Sequence, residues 1–476
     1  MSVIDSSQLL AAGDEGYQIS RSVRLRSSAS AYFSRTPSSA SNQKTWTVSI
    51  WFKRSEIGSR TGLFSVGSTS TSPYVENVIQ IDSADKLEVF NETNASGFWV
   101  YEYNFISNQV FRDPSAWYHL VVAVDTTQAT STNRVKIYLN GAQITSFATA
   151  TYPSQNIDTY VNSARQHVLG TNWNSAALPA AEMMDGYLAE TNFIDGQALT
   201  PSSFGENDAI TGVWKPKKYG GSYGTNGFYL NFSDNSNNTA ATIGKDYSGN
   251  GNNWTPNNIS VTTGSTYDSM LDVPTPYADG GNGRGNYCTL NPLQGTSTTF
   301  SNANLNYSIP ASYGLGPTGT ISASSGKWYW EVTPTSGNQL TGVGVASVEA
   351  VSNGKTYTTA SSTYPIMTYE PVSGAVYVNG SSVTTTTTSA ANDVIGIAYD
   401  AGSNTAAIYK NGSLLYTATL TGTSGGAMPY LANPSGAQAA VGYVNFGQRS
   451  FAYTPPTGFV ALNTQNLPDS TIKKGN

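Results

Sequence analysis

At 476 residues the chain is too long for one small core, and a net charge of −6 gives a nucleic-acid partner no electrostatic support. Only 11% of residues are charged, and Gly, Ser, Thr and Asn fill the intervals, a pattern of many strands joined by turns that argues against long helices. One cysteine, Cys288, excludes an intrachain disulfide framework, and no apolar run reaches membrane-spanning length. The opening "MSVIDSSQLLAAGDEGYQIS" lacks a basic segment followed by an apolar one, so it does not read as a secretory signal. Without such a signal, the Asn-x-Ser/Thr triplets at Asn91, Asn94, Asn237, Asn253, Asn306 and Asn411 reflect the abundance of those residues.

The first periodic strand is "TWTVSIWFKR". Trp46, Val48 and Ile50 point one way; Thr47, Ser49 and Trp51 point the other. "WYHLVVAVD" (117–125) follows, then "RVKIYLNGAQITSF", with Val135, Ile137 and Leu139 on one face. Its Asn140-Gly141 is a strong hairpin signal, because both central residues of the tight turn need φ > 0. "MMDGYLAETNFIDGQALTP" carries two Asp-Gly turns and an exit at Pro201. After Tyr267–Leu293, read as a loop from its three prolines and clustered glycines, the same grammar returns. "GKWYWEV" places Trp328, Trp330 and Val332 on one face, and "DVIGIAYDAGSNTAAIYKNGSLLYTATL" is three strands with a hairpin at Asn411-Gly412. The chain therefore predicts two all-β sandwiches of related design. Near the end, "NFGQRSFAYTPPTGFVAL" breaks on Pro455-Pro456, which neither a helix interior nor a central strand tolerates. It reads as a strand, a sharp corner and a closing segment, with Phe446 and Phe459 buried on either side of the break.

"KTWTVSIWFKR", "WYHLVVAVD", "VKIYLNG" and "MMDGYLAETNFIDGQALT" resemble a laminin-G or concanavalin-type jelly roll. "DYSGNGNNW" (246–254) is similar to an Asp-x-Ser-Gly-Asn-Gly phrase of that superfamily, where it stands near the domain's start. Its late position here implies a rearranged strand order or a separate segment that completes the sheet. "SSGKWYWEV", "GVGVA", "NDVIGIAYD", "YKNG" and "VNFGQRSFAYTPPTGFVAL" resemble a SPRY-type sandwich, in that family's order. The expected organisation is an N-terminal docking arm (1–20), a jelly roll (21–266) with a completing segment at 213–262, a linker (267–298), a SPRY-like β-sandwich (299–467) and a tail (468–476). Together the two halves resemble virion structural proteins of tailed phages, of tail-fibre or decoration type.

The chemistry is sparse. Two histidines, His119 and His167, accompany no Gly-x-Ser-x-Gly elbow and no His-Glu-x-x-His. "GLGPTG" (314–319) satisfies a dinucleotide fingerprint only in letters, since Pro317 and strand-like residues follow where a helix is needed. Glycan cleavage needs two carboxylates flanking a bond. Glu182, Asp185 and Glu190 are interrupted by a turn, whereas Glu88 and Glu92 share a strand face; both sets read as solvated surface acids, and no catalytic residue is assigned. Arg21, Arg24, Arg26 and Arg35 form a basic cluster that could meet an acidic neighbour or stay as solvated strand charges. Asp246, Asn250 and Asn252 offer oxygen ligands for calcium, against the alternative of an Asx-rich turn. Trp173, Tyr219, Tyr223 and Trp254 are candidates for stacking on sugar rings, against core packing.

These readings combine as a non-enzymatic virion protein, first a tail fibre that recognises a host cell-surface saccharide, second a capsid decoration or head-fibre protein. A glycan-degrading tailspike enzyme is the alternative from another class. An aromatic-rich chain with few charges suits apolar interfaces, so a homo-oligomer is expected; the trimer, and docking to other virion proteins through the arm, are implied by the resemblance. No cofactor is expected beyond calcium, and neither nucleic acid nor membrane insertion is.

Overall fold

Nine of the ten residues of Thr45–Arg54 are buried, so both faces of this strand are covered. Its position explains why. The computed structural model describes residues 16–67, 74–95, 97–174, 177–209, 211–294, 297–311, 316–335, 341–423, 425–433 and 439–468, and they divide into two units, Glu15–Thr275 and Pro276–Asn476. In the first unit, Thr45–Arg54 lies at the centre of an antiparallel sheet between Tyr118–Asp125 and Gly186–Asp195. Trp46, Val48, Ile50 and Phe52 face the main core, with Val135, Ile137 and Leu139 as expected. On the other face, Val121, Ala123, Tyr138, Ile194 and Phe204 form a smaller core, against which Leu199, Tyr219 and Tyr223 pack.

A second eight-stranded sheet closes the sandwich in the order Phe147–Thr151, Phe98–Val110, Lys86–Ala95, Tyr74–Ile81, Thr61–Gly67, Gln166–Leu169, Tyr32–Arg35, Thr255–Asn257. The late segment completes both sheets: Phe228–Leu230 pairs with Gly186–Asp195, and Thr255–Asn257 pairs with Tyr32–Arg35. Asn140 and Gly141 have φ of 47° and 84°, and Asn411 and Gly412 have 48° and 79°, as both hairpins require. Of the two Asp-Gly pairs, only Asp195-Gly196 is a turn; Asp185-Gly186 opens a strand.

The stretch Tyr267–Leu293 is no free linker. Ser269–Met270 pairs with Ser22–Leu25 at the edge of the first sheet, and Asp268 and Asp272 are buried. The unit boundary falls inside this stretch, at Thr275. The basic cluster is corrected by the same contacts. Arg24 and Arg26 both reach Asp268, at 3.0 and 2.9 Å, and are buried rather than solvated. Arg21 donates to Ser269 and Arg35 to Asn252. Of the expected arm, residues 1–15 lie outside the described residues. Tyr17 donates to Glu190 and Ile19 is buried, so its last residues belong to the sandwich. The tail from residue 469 also lies outside them.

The second unit pairs an eight-stranded sheet with a five-stranded one. Lys327–Pro334 is central, between Ala440–Asn445 and Ile395–Asp400, with Trp328, Trp330 and Val332 buried. Among the described residues the α-helix is Val348–Ser352, capped by Ser347 accepting from the Ala350 N–H at 3.0 Å. The Pro-Pro corner is present: Val460–Ala461 returns as a short strand parallel to Trp328–Tyr329. Phe446 is fully buried, whereas Phe459 is half-buried under the Lys327 ammonium. The corner is tied instead by Glu331, whose carboxylate accepts from the backbone N–H of Ala452 and Tyr453 at 2.8 and 2.9 Å. Of "GLGPTG", Gly314 and Leu315 lie outside the described residues; Thr318 and Gly319 form bridges to Tyr430 and Leu290, and no helix follows.

Candidate functional site

Strands Tyr74–Ile81 and Lys86–Ala95 are an antiparallel pair whose odd-numbered residues Ile79, Ile81, Leu87 and Val89 enter the core. The period of two sends the even-numbered residues to the opposite face. There the register sets Glu76 against Glu92, Val78 against Phe90 and Gln80 against Glu88. A bulge between Asn91 and Glu92 brings Tyr101 opposite Glu92, with Trp99 opposite Asn94. Arg60, Trp173, Asn174 and Glu182 complete the wall of a cleft of about 220 Å³ over this face.

Each group in the cleft has an identifiable support. The Trp173 ring lies against Gly67, where a Cβ would come within 2.2 Å of Trp173 Cγ, so only glycine admits it. Trp173 Nε1 donates to the Gln166 carbonyl at 3.2 Å and its backbone N–H to Ser65 Oγ at 3.1 Å. Gln80 donates to Glu88 at 2.7 Å and accepts from Asn172 at 2.6 Å, which fixes the orientation of its amide. Arg60 pairs with Glu182 at 3.2 Å. Glu92 is 6% exposed, and its Oε2 has no hydrogen-bond partner. Burial pushes its carboxyl up to about 7; the Tyr101 hydroxyl and Arg60 pull against this while the charges on Glu88 and Glu102 add to it. Burial likewise raises Glu88, and raises Tyr101 to about 12. Trp99 and Tyr101 are open to solvent at the tip of the hairpin, beside the exposed Phe98 and Val100.

The expected sugar-stacking residues separate into three places. Trp173 reaches the cleft. Tyr219 and Tyr223 meet edge to face at 5.1 Å, half-buried over the Ile194 and Phe204 core, with the Tyr223 hydroxyl donating to Asn192. Trp254 is a correction: it is wholly buried in the main core, 4.7 Å from Phe228, and offers no face to a ligand. Asp246, Asn250 and Asn252 come together as a turn. The Asp246 oxygens accept from the N–H groups of Tyr229, Ser248 and Asn252 and from the Ser248 hydroxyl. The Asn250 and Asn252 amides donate to the carbonyls of Gly224, Thr225 and Gly227. Protein groups thus meet the hydrogen-bonding needs of that loop.

The acids are not solvated, contrary to expectation. Glu92, Glu182, Asp185 and Glu190 are all buried, and Glu88 is half-buried. Glu190 accepts from Tyr17 and Tyr229, and burial holds its carboxyl at about 7. Both histidines are packed. His119 lies stacked between Trp51 and Trp214 and accepts from Trp214 Nε1 at Nδ1, so its Nε2 carries the proton and donates to Ser49; burial lowers it to about 3. His167 is lowered to about 4 by the same cause. Sequence reasoning missed Arg60, Glu76, Trp99 and Tyr101. The alternating "FWVYEYNF" (98–105) was the available signal for the last two.

Residues 27–203 match the family model described as the concanavalin A-like lectin/glucanases superfamily, and residues 327–448 match the SPRY domain. The chain is a nearly all-β protein with a laminin-G/concanavalin-like domain followed by a SPRY domain. No curated protein sequence matches it. Similar solved structures include the SPRY domain of human HERC1, 19% identical over 34% of this chain and 99% of that one, with a TM-score of 0.29. A heptameric SAP-like pentraxin from Limulus polyphemus is 15% identical over 42% and 80%, with a TM-score of 0.27. Domains LG4-5 of the mouse laminin alpha1 chain are 10% identical over 92% and 90%, with a TM-score of 0.30. A lectin-like fold points to a binding role, and the cleft lies within the matched stretch.

Proposed function

We propose that this is a non-enzymatic saccharide-binding protein whose first sandwich holds the sugar in the cleft between Trp99, Tyr101 and Trp173. One observation carries the reading: aromatic rings stand beside a floor of carboxylates and a glutamine amide. Rings supply an apolar face for a pyranose, and carboxylates and amides supply acceptors and donors for its hydroxyls. The volume is below the roughly 300–1,000 Å³ of drug-sized pockets, which suits one ring of a chain lying mostly outside. Each site is then weak, because a polar ligand exchanges good water hydrogen bonds for similar ones. Several copies acting together raise the avidity.

The wider setting rests on the sequence resemblance to phage virion proteins. In it the chain is a tail fibre, or else a capsid decoration or head-fibre protein, located on the virion. It forms a homo-oligomer, as a trimer, docks to other virion proteins through its N-terminal residues, and attaches to a host cell-surface glycan. The SPRY domain serves as a second rigid module. A glycan array probed with the full chain tests the binding reading. Signal that is lost in Trp99→Ala and Tyr101→Ala supports it, and an array without signal overturns it. Locating the chain in electron micrographs of purified particles tests the setting.

A second reading, hydrolysis, is favoured by one specific observation. Glu92, with its carboxyl at about 7, stands directly opposite Glu76, an arrangement that suits a general acid beside a second carboxylate. Release of reducing ends from an array-positive polysaccharide, abolished in Glu92→Gln, would establish it over binding alone.

A further inference from the structure

We infer that Glu190 is a proton-operated latch: its carboxyl proton closes a hydrogen-bond ring with the Tyr17 and Tyr229 hydroxyls that pins residues 16–21 to the first sandwich, and loss of that proton loosens the segment. The inference is independent of the saccharide-binding reading and starts from a count of protons. The Tyr17 hydroxyl lies 2.9 Å from Glu190 Oε2, the Tyr229 hydroxyl lies 2.8 Å from the same carboxyl, and the two hydroxyls bond each other. Three oxygen pairs need three protons, and each hydroxyl carries one. With Glu190 ionised, one pair is left without a hydrogen. With Glu190 protonated, every member of the ring donates once and accepts once.

The surroundings favour the proton. Glu190 is 5% exposed, and the cation that acts on it, Lys218, lies on the surface. Tyr223 stacks on Tyr229 at 6.3 Å, Tyr247 meets the same ring edge to face, and Asp246, which accepts from the Tyr229 N–H, carries charge of the same sign as an ionised Glu190. Burial accordingly holds the Glu190 carboxyl at about 7. The ring opens most readily at Tyr17. Glu190 and Tyr229 stand on the paired strands Gly186–Asp195 and Phe228–Leu230, at a bulge where Glu190 takes a φ of 46°. That conformation is unfavourable for a residue with a Cβ and persists where the surroundings impose it. Tyr17 instead belongs to residues 16–21, which form neither helix nor strand ahead of Ser22–Leu25. Lifting that segment lets water reach the carboxylate without breaking a sheet. Ile19 is a second, apolar anchor, so the closed form stays the main one and the latch sets how frequently it opens. The closed form holds the proton more tightly, so latching is full below about pH 4.5 and is lost as pH rises through 7.

Hydrogen exchange of the full chain between about pH 5 and 8, read by mass spectrometry, tests the latch. Glu190→Gln is the permanently latched reference, because its amide donates and accepts as the protonated carboxyl does. Dividing by it cancels the intrinsic pH dependence of exchange. The ratio of native to variant exchange in residues 16–21 should rise by up to about tenfold per pH unit between about pH 5 and 7 and then level off. The ratio for Thr45–Arg54 should stay near one. Tyr17→Phe should exchange residues 16–21 rapidly at every pH. If Glu190→Gln does not fold, Tyr17→Phe becomes the reference, and the native chain should approach it as pH rises through 7. A flat ratio overturns the inference. So does an equal rise in Thr45–Arg54, which would mean unfolding of the whole sandwich, and so does exchange in Tyr17→Phe as slow as in the native chain at about pH 5.

Discussion

The two sandwiches are closed by different forces. In the first, the strand near its start and the segment at its end are locked by buried charge. Asp268 accepts from Arg24 and Arg26, and Asp272 accepts from Lys53 at 2.9 Å and from Trp117 Nε1. In the second, the ion pairs Lys327–Asp400 and Lys410–Asp393 are partly solvated, and closure depends on Phe446, Leu462 and the backbone bonds to Glu331. Buried ion pairs are geometrically demanding and costly to break singly, whereas apolar closure tolerates approximate placement. The first sandwich, which carries the cleft, is therefore the one whose ends are specified most sharply.

The largest expected effect breaks that contrast directly. Asp268→Asn leaves two guanidinium groups without their buried counter-charge and should cost the first sandwich about 3–5 kcal/mol, with Asp272→Asn close behind. Asp400→Asn in the second should stay within about 1 kcal/mol. Calorimetry resolving the two unfolding transitions would show it; equal small shifts for both variants would remove the distinction.

Next, the closing corner of the second sandwich separates apolar from polar ties. Phe446→Ala should cost about 3–5 kcal/mol. Glu331→Ala, which frees the Ala452 and Tyr453 N–H groups, should cost about 1–3 kcal/mol. Phe459→Ala, at a half-buried ring, should cost about 1 kcal/mol. If Phe459→Ala matched Phe446→Ala in a chemical denaturation series, the corner would rest on the ring after all.

Titration sharpens the comparison further. Glu92 and Glu190, both in the first sandwich, have folded-state carboxyls at about 7 against an ordinary 4.5. The folded form binds their protons more tightly, so their contribution is full below about pH 4.5 and is lost as pH rises through 7. The melting temperature of the first transition should fall over that window, and the fall should be smaller in Glu92→Gln. An identical pH profile in the variant would contradict the assignment.

The smallest effect concerns the Asp246 turn. Its carboxylate already accepts from four protein donors, so chelation should leave the first transition unmoved. A drop on adding EDTA, restored by calcium, would place the ion at Asp246, Asn250 and Asn252.

What the sequence determined by itself was local. Asn140-Gly141 and Asn411-Gly412 were legible because the turn demands their backbone conformation at two adjacent residues. The core faces of 135–139 and of 327–332 were legible because alternation needs only neighbours in the chain. The same alternation put Glu88 and Glu92 on one face, and there its authority ended. Which face was covered, and by what, depended on Trp173 settling over Gly67 and on the register that sets Tyr101 opposite Glu92 and Trp99 opposite Asn94 within the sheet. Arg24 and Arg26 looked like surface charge because their partner, Asp268, lies more than 240 positions away in the chain. Trp254 looked like a free ring for the same reason, since Phe228 and the core it enters form only when a late segment completes two sheets. Burial is a property of non-local contacts, and tertiary structure alone decided which acids, cations and rings were left facing a ligand.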